Sequence, residues 1–160
     1  MARALLPLTT TVEQRAELLD GTQLGKDLAW PELVGVATFM RSLRAEPGAT
    51  LFAEGDRQGR LWVVAAGTVS IQKADSDGNR KEIATVGAGR MLGEMGLVDG
   101  APASASAVAA TDVTALVLTR DDFDAMTERP PFTGVKLLRH IARLLSQRLR
   151  QTSGALVDRL

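Results

Sequence analysis

The sequence predicts a mainly β domain, a sandwich or a barrel, held between helices at its two ends. Three observations lead there. From Leu43 to Thr119 the chain runs in short apolar stretches rich in Val, Leu and Ile. Glycine interrupts them about every ten residues, a spacing of strands and turns. On either side of this region the apolar residues instead recur every three or four positions, the helical period. At 160 residues the chain suits one domain with a real core. The predicted parts are a helical lead-in over 1–42, a β core over 43–119 and C-terminal helices over 120–160.

Thr10 followed by Glu13 predicts a capping box that opens a short helix, which Asp20 and Gly21 stop. A second helix starts near Pro31, a favoured first-turn residue, with Leu33, Val36, Ala37 and Met40 on its core face. Strands are expected over 50–52, 61–65, 68–73, 81–86, 104–109 and 114–118. Asp75, Ser76, Asp77, Gly78 and Asn79 make the hairpin turn between two of them. The small-residue run APASASAVAA at 101–110 reads as a tightly packed turn entering a strand rather than a flexible linker.

Thr119 and Asp122 predict an N-cap and its third-position acid, opening a helix that carries Phe123 and Met126 and ends at Pro130 and Pro131. A long helix over 132–151 follows, from Phe132 to Gln151. Val135, Leu138, Ile141, Leu145 and Leu149 form its apolar stripe, with Lys136, Arg139, Arg143, Arg148 and Arg150 on its other faces. A stripe of this kind requires a partner surface.

Composition excludes several function classes. Lys and Arg number 19 and Asp and Glu number 19, so no global field attracts nucleic acid or an anionic membrane, and any anion site is local. There is no cysteine and His140 is the single histidine, which argues against a zinc site or a thiol nucleophile. The N-terminus lacks the apolar run of a signal peptide and no stretch is long enough to span a bilayer. A cytoplasmic protein without a metal or cofactor is expected. No Gly-x-Ser-x-Gly or Walker loop occurs, so no enzymatic activity is expected.

The stretch GEMGLVDGAPASAS at 93–106 carries the chemistry. A glycine turn followed by a short helix over 94–98 presents unsatisfied N–H groups that can face an anion, and Gly96 allows close approach to the backbone. Gly93, Glu94 and Met95, then Pro102, Ala103, Ser104, Ala105 and Ser106, resemble the phosphate-binding cassette of the cyclic-nucleotide-binding domain family. In that cassette Gly-Glu-Leu/Met is followed by Pro-Arg-Ala/Ser-Ala-Ser/Thr. AEPGATLFAEGDRQGRLWVVAAGTVSI at 45–71 and IATVGAGRMLGEM at 83–95 resemble the family's opening strands and the turn into the cassette. The likeness covers residues 40–150.

The resemblance implies an eight-stranded antiparallel β-barrel of the double-stranded β-helix, jelly-roll type, with N-terminal helices and a long C-terminal helix. It implies a regulatory module that senses cAMP or cGMP through Gly93, Glu94, Met95, Gly96, Ala103, Ser104 and Ala105. Glu94 would accept from the ribose 2′-hydroxyl, and Ser104 would offer its amide and hydroxyl to the phosphate. Ser106 reads as a strand residue, and Asp99 with Gly100 as a turn. The C-terminal helix would report binding through Leu138, Ile141, Leu145 and Leu149 to a second subunit of a homodimer or to an attached effector. Transcription regulators of the family continue into a helix-turn-helix, whereas here only a few residues follow the helix, so no direct DNA binding is expected.

One departure governs the ligand. Position 103 holds alanine where the family has the arginine that pairs with the cyclic phosphate. Arginine supplies two parallel hydrogen bonds and a charge that does not titrate. Hydrogen bonds to charged groups contribute about 1.5–3 kcal/mol, so its loss weakens binding by about one to two powers of ten. Three outcomes follow: Arg60, Arg80, Lys81 or Arg90 substitutes for it, the ligand differs, or the fold serves as an interaction or dimerisation module without nucleotide.

Overall fold

The computed structural model describes residues 3–129 and 133–159. In chain order these form β1 (Leu5–Leu8), α1 (Val12–Asp20), a 3-10 turn (Gly25–Asp27), α2 (Trp30–Thr38), β2 (Arg41–Ala45), β3 (Thr50–Phe52), β4 (Arg60–Ala66) and β5 (Val69–Ala74). They continue as β6 (Arg80–Val86), β7 (Met91–Leu92), α3 (Glu94–Asp99), β8 (Ser106–Ala109), β9 (Val113–Thr119), α4 (Arg120–Thr127) and α5 (Thr133–Val157).

The nine strands pair in two separate antiparallel sheets, ordered β1-β2-β9-β4-β7 and β3-β8-β5-β6. Where an eight-stranded barrel of the jelly-roll type was expected, the described residues form a pair of sheets of five and four strands with no closed barrel, the ladders ending at β1, β7, β3 and β6. The lead-in is also not purely helical, since β1 lies within it and pairs with β2, Leu5 opposite Ala45. Pro7 is tolerated there because β1 is an edge strand.

The core lies in two layers. Leu61 and Val63 of β4, with Leu116 and Leu118 of β9, face the helices, where they meet Leu33, Val36, Phe123, Leu137 and Ile141. Trp62 and Val64, with Val113, Ala115 and Val117, point the other way, toward Val69, Ala107 and Ala109 of the second sheet. Strands covered on both faces need apolar residues at every position, so β4 and β9 read as continuous runs rather than alternating ones.

The helix ends show their causes. Thr11, not Thr10, caps α1: its hydroxyl accepts from the Gln14 amide at 3.1 Å and the Gln14 side chain accepts from the Thr11 amide at 2.9 Å. Thr10 instead shares a 2.6 Å hydrogen bond with the Ser42 hydroxyl on β2. Thr119 caps α4 as expected, accepting from the Asp122 amide at 3.2 Å. The β5–β6 hairpin also follows expectation, with Asp75 Oδ1 accepting from the amides of Asp77 and Asn79, both at 2.9 Å. On α2, Glu32 pairs with Lys136 of α5 at 2.7 Å. The Lys136 ammonium first, then the Ala29 amide, holds the Glu32 carboxyl below its ordinary range. The link between α2 and α5 is thus present near neutral pH and is lost as Glu32 protonates in acid.

Helix α5 continues to Val157 rather than ending at Gln151. The expected start at Phe132 and the stop at Pro130 and Pro131 lie outside the described residues. The buried face is also rotated from the expected stripe. Leu137 and Ile141 are fully enclosed, and Leu144 and Leu145 pack against the same core. Leu138 is 39% exposed and Leu149 is 68% exposed. The reason is close approach at the start of the helix: Gly134 packs where a side chain would come within 3.0 Å of the Thr127 backbone, and this sets residues 134, 137 and 141 inward.

A paired measurement checks this register. Leu137→Ala is expected to lower stability in urea by about 2–5 kcal/mol, the cost of deleting an enclosed leucine. Leu138→Ala is expected to change it by about 0.5 kcal/mol, as at other surface positions.

Candidate functional site

The site is built on a glycine that has little choice of conformation. Gly93 sits at φ 80°, ψ 5° before α3, a left-handed region that side chains disfavour. A Cβ there would also overlap the Arg60 carbonyl oxygen of β4. The close approach seats α3 against β4 and leaves its first turn without a side-chain cap, so its leading amides are among the orphan donors of a helix start. Gly59 likewise meets α3, since a Cβ would lie 2.8 Å from the Gly96 carbonyl oxygen.

Residues 101–105 follow this helix and are pinned through the backbone of Ala103. The Ala103 amide donates to the Asp56 carbonyl and the Gly55 amide donates to the Ala103 carbonyl, both at 2.8 Å. The Ala103 backbone is thereby committed to the 55–56 loop, and its side chain is only a methyl group. Ser104 is exposed, and its carbonyl accepts from Lys73 Nζ at 2.8 Å. Ser106 is buried in β8, where its hydroxyl accepts from the Glu54 amide at 2.8 Å. Asp99 Oδ1 accepts from the Ala101 amide at 2.8 Å, and Gly100 closes α3 in a left-handed conformation.

Between the two sheets these elements enclose a cavity of about 440 Å³, within the usual range for a small-molecule site. Gly93, Glu94, Met95, Gly96, Ala103, Ser104 and Ala105 all line it. Trp62, Leu92 and Ile71 supply apolar wall, while Arg60, Arg90 and Arg148 supply charge. Of the four cations considered as substitutes for the absent arginine, Arg60 and Arg90 reach this lining. Arg80 and Lys81 do not: they sit at the hairpin end of β6, where Lys81 pairs with Asp75 at 3.3 Å. The expected C-terminal helix contacts separate in the same way. Ile141 is buried and Leu145 half-buried, Leu138 and Leu149 are exposed, and none of the four lines the cavity.

The residue that sequence reasoning missed is Arg148. Its guanidinium donates to the Glu94 carboxylate, an ion pair across 54 positions of sequence. Glu94 is only 2% exposed, and a carboxylate removed from water requires a partner. The signal was present in the spacing. Positions 137, 141, 144 and 148 continue one helical face, so Arg148 prolongs the line of the enclosed Leu137 and Ile141 toward the cassette, while its own side chain stays 48% exposed.

Among the described residues no cluster of three or more His, Cys, Asp or Glu side chains could hold a metal ion. No helix described is long and apolar enough to cross a membrane.

Comparison with known proteins agrees with this geometry. The model of the cyclic nucleotide-binding domain family matches residues 42–129. The chain belongs to the cyclic nucleotide-binding domain family. It is 36% identical over 134 residues to the cyclic AMP receptor protein of Thermus thermophilus, covering 83% of this chain and 60% of that one. A cyclic nucleotide-binding domain from Methylobacillus flagellatus superposes with a TM-score of 0.81 at 29% identity, covering 98% of this chain and 89% of the other. The acetyltransferase Pat of Mycolicibacterium smegmatis is 35% identical over 95 residues, which is 59% of this chain and 28% of Pat. This cyclic nucleotide-binding domain thus spans less than two thirds of either curated relative. Its likeness extends to one protein named a receptor and another named an acetyltransferase, so the shared stretch does not by itself fix the output.

The Glu94–Arg148 pair can be tested by a double-mutant cycle. Arg148→Ala leaves a buried acceptor unpaired and is expected to cost about 1–3 kcal/mol, toward the lower end because Arg148 is itself 48% exposed and screened. In a Glu94→Gln background the same substitution is expected to cost less than half as much. Equal costs in the two backgrounds would show that the pair carries no coupling.

Proposed function

We propose that this chain is a regulatory ligand-sensing module that takes a cyclic nucleotide, cAMP or cGMP, into the cavity between its sheets. The observation that carries the reading is the convergence of the 93–96 turn and the 103–105 strap on one cavity whose mouth bears Arg148 of α5. Likeness to a cyclic AMP receptor protein supports the choice of ligand. In this reading Glu94 exchanges the Arg148 guanidinium for the ribose 2′-hydroxyl, and the α3 amides with the Ser104 amide and hydroxyl receive the phosphate. Arg60 or Arg90 supplies part of the charge that Ala103 lacks. The role is regulatory rather than catalytic and belongs to the cytoplasm, with no DNA contact assigned to the chain itself.

The partner reached through α5 is a second copy. Val135, Leu138, Ala142, Leu145, Leu149, Thr152 and Leu156 recur at alternating intervals of three and four, the seam of a two-stranded coiled coil. This seam lies about a quarter of a turn around the helix from Leu137 and Ile141. Val135, Leu138, Leu149 and Leu156 are exposed along it. The same seam supports a second reading, in which Arg148 keeps Glu94 permanently and the domain acts only through protein contacts.

Calorimetry with cAMP and cGMP separates the two readings. Weak, saturable binding is expected, accompanied by a change in fluorescence from Trp62, which lines the cavity. No heat at millimolar nucleotide would leave only the interaction module. Ala103→Arg is expected to raise affinity by about one to two powers of ten, because the backbone at 103 is already fixed. An unchanged affinity would show that the cavity is not shaped for phosphate. For the second copy, sedimentation is expected to give a dimer that Leu149→Asp converts to monomer. A monomeric parent chain would remove the dimer from the reading.

A further inference from the structure

Beside the nucleotide cavity lies a second concavity of about 410 Å³, between the 3-10 turn at Gly25–Asp27 and α5. Its character is opposite to that of the first. Lys26, Arg90, Arg143 and Arg148 line it, against the carboxylate of Asp27 in the lining and that of Glu94, which meets Arg148 from the first cavity. The chain as a whole carries equal numbers of acidic and basic residues, so this is a local concentration of positive charge. With Arg148 met by Glu94 and Arg143 by Asp27, Lys26 and Arg90 leave an excess of positive charge on one concave surface, which a bound anion would offset.

Two details show that internal pairing leaves this charge unspent. Among the described residues neither Lys26 nor Arg90 has an ion-pair partner, and Asp27 reaches only Arg143, at 3.7 Å, and His140. His140 Nδ1 is buried and makes no hydrogen bond. It lies 3.3 Å from Asp27 Oδ2, a separation short enough for an ion pair but lacking the alignment of a hydrogen bond. A polar atom closed off from water without a partner is uncommon in a folded protein. Gln147 and Gln151, on the same flank of α5, add amide donors.

We propose that this cleft binds a small phosphate-bearing oligoanion of the diphosphate class. Guanidinium forks match phosphate oxygens two at a time, and a concavity of about 410 Å³ suits a compact anion rather than a polymer laid across a flat face. The inference is separate from nucleotide sensing, because Lys26, Asp27, His140 and Arg143 line only this cleft. The two cavities nevertheless touch, since Arg90 and Arg148 line both. An anion here competes with Glu94 for Arg148.

Sodium pyrophosphate titrated into the full chain at constant ionic strength tests the site. The expected result is saturable one-to-one binding by calorimetry, with amide NMR shifts centred on residues 23–27 and 140–151. The exposed double substitution Lys26→Glu with Arg143→Glu is expected to weaken binding by at least about tenfold while circular dichroism stays unchanged. Sulfate at the same ionic strength is expected to give no saturable signal. Absence of saturable pyrophosphate binding, shifts centred on residues 93–105, or equal binding by the folded double variant would each overturn the proposal. Because the two substituted residues do not line the nucleotide cavity, cAMP titration of the same variant reports on that cavity independently.

Discussion

The structure around the site depends on one constraint, a carboxylate held almost out of water. Glu94 is buried because Gly93 turns in a conformation open to glycine and draws α3 against β4. Once there, its charge must be met from within the fold, and the group that meets it comes from the far end of the chain. Arg148 therefore ties the C-terminal helix to the cassette by chemistry, while Leu137 and Ile141 tie it to the core by packing. The packed contacts lie outside the cavity lining, whereas the charged contact involves an acceptor that lines it. A change in what Glu94 accepts is consequently a change in what restrains the second half of α5.

Ala103 acts differently. The backbone hydrogen bonds with Gly55 and Asp56 hold the strap in place without reference to any side chain at 103. The cavity thus keeps its shape while lacking its expected charge, and the cations that remain approach from other directions, from β4, from the turn before β7 and from α5. An anion bound among them would sit in a field assembled from three elements rather than fixed by one fork, which favours adaptability over tight geometric selection.

Much of the fold was legible in the sequence where one physical cause dominated. The continuous apolar runs of β4 and β9 announced strands, Thr119 announced a helix start, and Asp75 to Asn79 announced a hairpin. Where causes competed, the sequence was less decisive. In β1 the proline masked an edge strand, in β2 arginines at 41 and 44 diluted the apolar signal, and β7 has only two residues. Thr10 and Thr11 were equivalent as caps until Ser42 engaged the first of them. Two overlapping apolar stripes run along α5, and the longer one, including Leu138 and Leu149, is not the one the core encloses. Choosing between them required the approach of Gly134 to Thr127, a tertiary fact. The cassette residues line one cavity, but Arg148 resembled its solvated neighbours because the need it fills is created by a residue 54 positions away.

The length of α5 has a mechanical meaning. Its 25 residues extend about 37 Å at the rise of an α-helix, yet enclosed packing against the domain reaches only to Ile141, with Leu144 and Leu145 half-covered. Val157 lies about 24 Å beyond Ile141 along the axis, so the helix has the proportions of a lever held near one end. A tilt of about 10° at the pivot carries the tip through about 4 Å at that length, which is close to the width of a side chain. A displacement at Arg148 too small to disturb the hydrophobic core would in this way be magnified into a shift of register at the exposed end of the rod.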